Sequence, residues 1–372
     1  MEKLTICCPC LFGLESVLSG EIRRMGGEEV QVTDGKVTFQ GDFSMVIKAN
    51  IQLRTAERVL IQLGSFPART FTELFDGTAA LPFEDFIGSL DAFPVKGWSL
   101  NSQLHSVPDC QSIVKKAVVK RLGSVYHKTW FEETGPVHQI QFSIHKDMAA
   151  LMLDTSGQGL HKRGYRANST LAPIKETLAA GIIDLAHVRR DTLVIDPFCG
   201  SGTLLIESAL HALRIAPGMR RHFAAERWGF VPEARWNTAR EEAHAGIARD
   251  ARFRGIGGDL DPEAVALTLD NARKAGVASR LRVTQADITD FKLPEGPAAV
   301  ICNPPYGERL LEIRQAEELY RTMGRVFQPR EGMSYYIISP HEEFESLFGR
   351  KADKRRKLYN GMIKCQLFMY YK

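Results

Sequence analysis

Apolar and polar positions along this chain repeat with two periods, one of about two residues and one of about 3.6, which mark strands and amphipathic helices. In the N-terminal part, Leu4-Thr5-Ile6 and Lys36-Val37-Thr38-Phe39 read as strands around a helix from Gly13 to Met25. A helix from Gln111 to Leu122 has Ile113 and Ala117 on a packed face and Lys115, Lys116, Lys120 and Arg121 on a basic one. Gln139 to Ile144 and Ala149 to Asp154 are the last strands of this region. Farther on, a short β-rich run, Leu193 to Asp196, leads through a Gly-rich turn into a helical pattern with Ile206, Leu210 and Leu213 at i, i+4 and i+7. Gly255 to Asp259 is a second short strand, followed by a helix with Asp261 as N-cap, Pro262 at its first position and Gly276 past its end. Val265, Leu269 and Ala272 supply that helix's apolar stripe. Leu281 to Ile288 is a third strand ending in acid, and Ala299-Val300-Ile301-Cys302 is a fully apolar fourth. Near the end, Asn360-Gly361 signals a tight hairpin. Strands alternating with helices predict an α/β protein.

The chain has 372 residues, enough for two or three domains. The pattern divides it into a small α/β unit over 1–65, a second region over 66–155, a connection over 156–166 with Gly157, Gly159 and Gly164 as breakers, and an α/β domain over 167–372. That last domain carries an Arg-rich insertion from about Arg214 to Arg254, with Trp228 and Trp236, which can cover a ligand or pack as a helical elaboration. No apolar run approaches about 18 residues and no leader pattern follows Met1-Glu2-Lys3, so a cytoplasmic location without membrane partners is expected. Seven cysteines, odd in number and irregularly spaced, argue against a disulfide framework. Cys7, Cys8 and Cys10 lack a second ligand pair at zinc spacing, so they are read as core residues and no metal is expected. A net charge of +4 is too small to identify a partner. Its distribution says more, because Arg350 to Lys357 is a dense basic run that includes Arg355 and Lys357.

The candidate chemistry lies at strand ends. Asn303-Pro304-Pro305-Tyr306 follows the fourth strand. Its prolines fix φ and remove two N–H groups, leaving an amide side chain, free carbonyls and an aromatic face. Those groups suit a flat base with an exocyclic amine, although alone they would pass for a Pro-rich turn. Upstream, Asp196-Pro197-Phe198-Cys199-Gly200-Ser201-Gly202-Thr203 lets the backbone approach a ligand at Gly200 and Gly202. Asp196 would repel a pyrophosphate but accept from an ammonium group. A dinucleotide fingerprint needs its acid about 20 residues on, and Asp259 comes far later, which disfavours a dehydrogenase. Asp259 suits two ribose hydroxyls, and Asp287 an adenine amine. Each acid singly would be a solvated loop residue, and Asp261 is as well explained by capping. Three acids at successive strand ends and Asn-Pro-Pro-Tyr at a fourth form a much more specific set. Cys199 and Cys302 flank it and read as small packing residues.

Asp-Pro-Phe-Cys-Gly-Ser-Gly-Thr, Gly-Asp-Leu-Asp-Pro, Ala-Asp-Ile and Asn-Pro-Pro-Tyr-Gly-Glu-Arg resemble class I S-adenosylmethionine-dependent methyltransferases that act on exocyclic amines. Leu160 to Arg166, Ala172 to Ala180 and Ser106 to Ala117 resemble the THUMP-domain RNA methyltransferases, in particular the large-subunit rRNA guanine-N2 enzymes and their single-catalytic-domain homologues. The resemblance implies a Rossmann-like class I sheet ending in an antiparallel hairpin, preceded by an α+β ferredoxin-like and THUMP region. It implies S-adenosylmethionine held by Asp196, Phe198, Cys199, Gly200, Ser201, Gly202 and Thr203, by Asp259 and Leu260, by Asp287 and Ile288, and closed by Pro173 and Asn303. Asn303, Pro304, Pro305 and Tyr306 would hold the target base. Lys115, Lys116, Lys120, Arg355 and Lys357 would meet RNA phosphates, and the Arg-rich insertion could add contacts. The implied substrate is guanine N2 of 23S rRNA. Adenine N6 on rRNA, guanine N2 on tRNA, DNA methylation and a noncatalytic RNA-binding assembly role remain open, as do monomer and homodimer.

Overall fold

A computed structural model describes residues 3–166, 174–307 and 310–371. The N-terminal part comprises β1 (Leu4–Pro9), α1 (Glu15–Met25), β2 (Glu28–Thr33), β3 (Lys36–Gly41), α2 (Phe43–Gln52), β4 (Leu60–Pro67), α3 (Phe71–Ala79), β5 (Val95–Leu100), α4 (Val107–Tyr126), β6 (Ile140–His145) and β7 (Met148–Asp154). Its strands form one sheet in the order β2-β3-β1-β4-β7-β6-β5. Every neighbouring pair is antiparallel except β5 and β6. The expected helices and strands are present with shifted ends: α1 starts two residues later than Gly13, and α4 extends past both ends of the expected Gln111–Leu122 helix. Pro108 opens α4, where its missing N–H has no helical partner to lose. Strand β2, not among the expected strands, forms the sheet's edge, and none of its six residues is buried. Strand β4 pairs with β1 on one side and β7 on the other, so a single sheet runs through residues on both sides of position 65.

The C-terminal part comprises α5 (Glu176–Leu185), β8 (Leu193–Asp196), α6 (Thr203–Ala212), α7 (Glu233–Ala245), β9 (Arg254–Asp259), α8 (Pro262–Ala275), β10 (Leu281–Gln285), β11 (Ala298–Cys302), α9 (Leu310–Val326), β12 (Met333–Ser339), α10 (Phe344–Phe348), β13 (Lys354–Asn360) and β14 (Ile363–Tyr370). The strand order is β10-β9-β8-β11-β12-β14-β13. The first five strands are parallel, and β14 and β13 add an antiparallel hairpin. Strand β11 is buried along its whole length, as a central strand covered on both faces must be. The chain winds outward from β8 through β9 to β10, then returns to place β11 on the other side of β8. That reversal opens a crevice at the carboxyl ends of β8 and β11, where open α/β sheets bind ligands.

The two parts share their cores. Leu14 and Val17, from the start of α1, pack into the apolar cluster of the C-terminal sheet. In return, Phe223, Ala225, Trp228, Val231 and Trp236 of the Arg-rich insertion pack into the N-terminal cluster. The insertion is therefore a packed elaboration, and neither Trp228 nor Trp236 lines the crevice. Trp228 is 1% exposed. It stacks on His138 at 4.5 Å, and its Nε1 donates to the Val137 carbonyl at 3.1 Å. Residues 156–166 are pinned along this seam. The Ser156 hydroxyl donates to Asn50 Oδ1 at 2.7 Å, Arg163 donates to the Leu160 and Arg54 carbonyls, and the Tyr165 hydroxyl donates to buried Glu207 at 3.0 Å.

Trp228→Ala should cost about 3–5 kcal/mol of stability, the range for removing a fully buried aromatic side chain. Denaturant unfolding monitored by circular dichroism measures this. A loss below about 1 kcal/mol would mean that the insertion does not hold the two parts together.

Candidate functional site

Strand β8 ends at Asp196, and the turn that follows is fixed from several sides. The Phe198 N–H donates to Asp196 Oδ1 at 3.1 Å, and the Cys199 N–H to the Gly258 carbonyl at 2.9 Å. Helix α8 secures the turn through Thr268, whose hydroxyl donates to the Gly200 carbonyl at 2.8 Å, and Asn271, whose Nδ2 donates to the Ser201 carbonyl at 2.9 Å. Gly202 has a φ of +81°, and a Cβ there would lie 2.7 Å from the Thr268 side chain, so a larger residue would push α8 away.

The neighbouring strand ends supply the other polar groups. Asp259, closing β9, accepts from the Gly200 N–H at 2.8 Å and from the Asp261 N–H at 3.0 Å. A carboxylate has about four acceptor positions, so capacity remains for two hydroxyls. Asp287, just past β10, accepts at Oδ1 from the Thr289 N–H and hydroxyl at 2.8 and 2.7 Å. Those bonds hold its pKa below the ordinary value. Asn303 follows β11, and the Tyr306 hydroxyl donates to its Oδ1. The Pro305 carbonyl accepts from the Tyr320 hydroxyl at 3.2 Å. Tyr306 thus occupies one acceptor position of the Asn303 amide.

These groups line one cavity of about 710 Å³. Of the residues expected at the site, Asp196, Phe198, Cys199, Gly200, Ser201, Thr203, Asp259, Leu260, Asp287, Ile288, Asn303, Pro304, Pro305 and Tyr306 border it, whereas Gly202 packs behind it and Pro173 lies outside the described residues. Lys115, Lys116, Lys120, Arg355 and Lys357 do not line it. Lys115 is engaged by Glu133 and the Phe93 carbonyl, and Arg355 by Glu345, while Lys116, Lys120 and Lys357 are exposed. A larger cleft, of about 1200 Å³, opens near the amino ends of β8 and β9. Several of its charges pair with one another, as in Arg24–Asp184 and Arg190–Asp250, and it contains none of the residues expected at the site.

Sequence reasoning missed several contributors. Asn360, Gly361 and Ile363, at the tip of the β13–β14 hairpin, form part of the cavity wall. Lys175 lines it from the start of α5 and lies 3.4 Å from Glu57 of the N-terminal part. Arg166 ties the connection to the site, donating to Thr203 Oγ1 at 3.2 Å, the Ile174 carbonyl at 3.1 Å and Glu176 at 3.0 Å. The Asn-Gly signal located the hairpin, but nothing in its sequence shows that it folds back over the strand ends. Arg166 closed a conspicuous basic motif without any local sign of its partners.

Burial dominates the electrostatics. It raises the Asp196 pKa to about 8, helped by the nearby Asp259 charge and opposed by the Phe198 N–H bond. Burial likewise pushes the Cys199 and Cys302 thiols well up, so neither presents a thiolate. A neutral, buried carboxyl at the floor of a cavity is ready to ionise against a cationic group.

Residues 163–368 match the family described as the RMKL-like methyltransferase domain, residues 5–60 the RlmL ferredoxin-like domain and residues 68–154 the THUMP domain. YpsC of Bacillus subtilis (strain 168), provisionally named an RNA methyltransferase, is 43% identical over 100% of this chain and 97% of its own. The chain belongs to this THUMP-bearing methyltransferase family. Another relative, the ribosomal RNA large subunit methyltransferase K/L of Syntrophotalea carbinolica, is 32% identical over 96% of this chain, which spans only 52% of that protein. SMU.472, also provisionally described as a methyltransferase and solved with SAH, superposes with a TM-score of 0.94 at 41% identity, covering 100% of this chain and 98% of its own. Family membership accounts for the parallel sheet with its antiparallel hairpin and for the mixed N-terminal sheet. No described helix is long and apolar enough to cross a membrane.

The sign of the Asp196 effect is testable. The unfolded chain releases this proton at a pH of about 4, whereas the folded protein keeps it to about pH 8. Between those values the folded state binds more protons, so this residue's contribution to stability falls as pH rises. Asp196→Asn should therefore raise the melting temperature of the ligand-free protein at pH 8 by more than at pH 5. A difference that stays constant or shrinks with pH would contradict the buried, protonated carboxyl.

Proposed function

We propose that this protein transfers a methyl group from S-adenosylmethionine to an exocyclic amine of an RNA base, guanine N2 of large-subunit rRNA being the substrate that best accommodates both parts of the chain. The observation that carries this reading is the convergence of Asp196, Asp259, Asp287 and Asn303, from four strand ends, on one cavity of about 710 Å³. The donor set fits the cofactor. Asp196 pairs with its ammonium group, Asp259 accepts from the ribose hydroxyls, Asp287 accepts from the adenine amine, and Leu260 and Ile288 provide apolar contact for the ring. When bound, the cofactor supplies an electrophilic methyl group on a sulfonium.

The protein's contribution is alignment, which can lower a barrier by about 7–11 kcal/mol in favourable cases. Asn303 Oδ1 and the Pro304 carbonyl accept from the exocyclic amine and direct its lone pair at the methyl. The Tyr306 hydroxyl must first leave Asn303. Tyr306, freed from that bond, offers its ring to the incoming base. The amine attacks as a neutral nucleophile and loses its proton afterwards, so a strong general base is unnecessary. The absence of a reactive thiolate agrees with direct transfer. The base has to leave its stack to reach a cavity of this depth. The large-subunit rRNA relative and the THUMP match favour ribosomal RNA over DNA.

The test is methyl transfer from labelled S-adenosylmethionine to RNA extracted from a strain lacking this gene, with the product nucleoside identified by mass spectrometry. N2-methylguanosine in large-subunit rRNA is expected. Label in N6-methyladenosine or in tRNA would overturn the substrate assignment and keep the chemistry. No label in any RNA, with cofactor binding intact, would overturn the enzymatic reading in favour of a noncatalytic role.

A further inference from the structure

Strands β13 and β14 meet in a two-residue turn, Gly361-Met362, closed by the Asn360–Ile363 pair. Gly361 takes φ +63°, the left-handed value that a tight hairpin of this length requires at its first turn position. The residues on both sides of Met362, Gly361 and Ile363, line the cavity, and so does Asn360. The tip therefore overhangs the mouth of the site. Met362 itself is 99% exposed, on a turn whose register is already fixed by the Asn360–Ile363 and Tyr359–Lys364 pairs. Polar residues and glycine normally occupy such positions. Ile363, next to Met362 in the hairpin, is also an exposed apolar residue and lines the cavity.

The flanks of the hairpin are basic. Lys357 and Lys364 are exposed on one face of it, and Lys354 is exposed on the other, far from the tip. The acids close by are engaged: Glu345 pairs with Arg355, and Asp353 accepts from the Tyr371 N–H. The Tyr359 ring lies beside this face, with Lys357 above it and Phe12 edge-on at 6.1 Å. Positive charge, exposed aromatic carbon and an unbranched apolar tip beside a base-sized cavity match a nucleic-acid strand rather than an acidic protein surface.

We propose that the β13–β14 hairpin is a substrate arm, and that Met362 inserts into the RNA stack to fill the gap left when the target base turns into the cavity, while Lys357 and Lys364 hold the flanking phosphates. This inference rests on the RNA-methylating function proposed above. Apolar side chains placed between base steps are a known means of separating them, and an extended, polarisable thioether fits such a slot. The wedge acts on the extruded state, not on the initial encounter. Met362 is thus a positioning residue, whose removal changes the rate of transfer more than the affinity for RNA.

The experiment compares wild type, Met362→Ala and Met362→Leu in single-turnover methyl transfer to RNA extracted from a strain lacking this gene, with RNA affinity from filter binding and S-adenosylmethionine affinity from calorimetry. Met362→Ala should lower the transfer rate by about tenfold or more, with both affinities within about twofold of wild type, and Met362→Leu should restore most of the rate. Equal rates for wild type and Met362→Ala would overturn the wedge and leave the methyltransferase reading intact. Equal loss in both variants, or a loss seen only in RNA affinity, would also overturn it. Failure of the wild type to label any RNA would overturn the underlying function.

Discussion

The reversal of strand order between β8 and β11 is the constraint on which the rest of the molecule depends. A parallel sheet that winds in one direction presents its strand ends in a row, each covered by the next crossover. Where the winding changes direction, two adjacent strands send their chains to opposite sides and leave a gap between them. Asp196 closes one of those strands and Asn303 follows the other. Their proximity is a property of topology, not of sequence separation, and it sets an acid suited to an ammonium group beside an amide suited to an amine. Asp259 and Asp287 extend the same row along β9 and β10.

That row would be of little use if its loops moved freely, and the packing restrains them. The turn after β8 is bonded to β9 and α8, and Arg166 ties the connection between the two parts to Thr203 in the same turn. Leu14 and Val17 enter the C-terminal core while Trp228 and Trp236 enter the N-terminal one. The two parts are therefore not beads on a tether. Glu57 of the N-terminal part lies 3.4 Å from Lys175 on the cavity wall, a polar contact beside the shared apolar ones. The hairpin that finishes the sheet also forms part of the cavity wall, so one element both completes the sheet and borders the cavity.

Much of this was legible in the sequence. Strand ends are visible where an apolar run stops at an acid or a proline, and the three acids with Asn303-Pro304-Pro305-Tyr306 could be read as one site because each follows such a run. The family resemblance carried by these motifs holds. What could not be read depends on long-range geometry. The bond from the Gly200 N–H to Asp259, the bond from Arg166 to Thr203, and the hairpin tip at the cavity mouth arise from segments brought together only by folding. The basic residues show the limit of composition. Lys115 and Arg355 look available in a charge run, yet Glu133 and Glu345 hold them, whereas Lys116, Lys120 and Lys357 are exposed. The Arg-rich insertion read equally as a ligand cover, an RNA contact or a packed elaboration, and its tryptophans pack in the N-terminal core.

In the proposed function, Asp196, Asp259 and Asp287 form a cofactor cradle and Asn303 to Tyr306 a base corner of the same cavity. The most direct measurement compares wild type with Asn303→Ala, using calorimetry for S-adenosylmethionine affinity and labelled methyl transfer to RNA for turnover. Cofactor affinity within a few-fold of wild type, together with abolished turnover, is the expected result. A comparable loss of cofactor affinity, or retained turnover, would contradict the division of labour on which the proposed function rests.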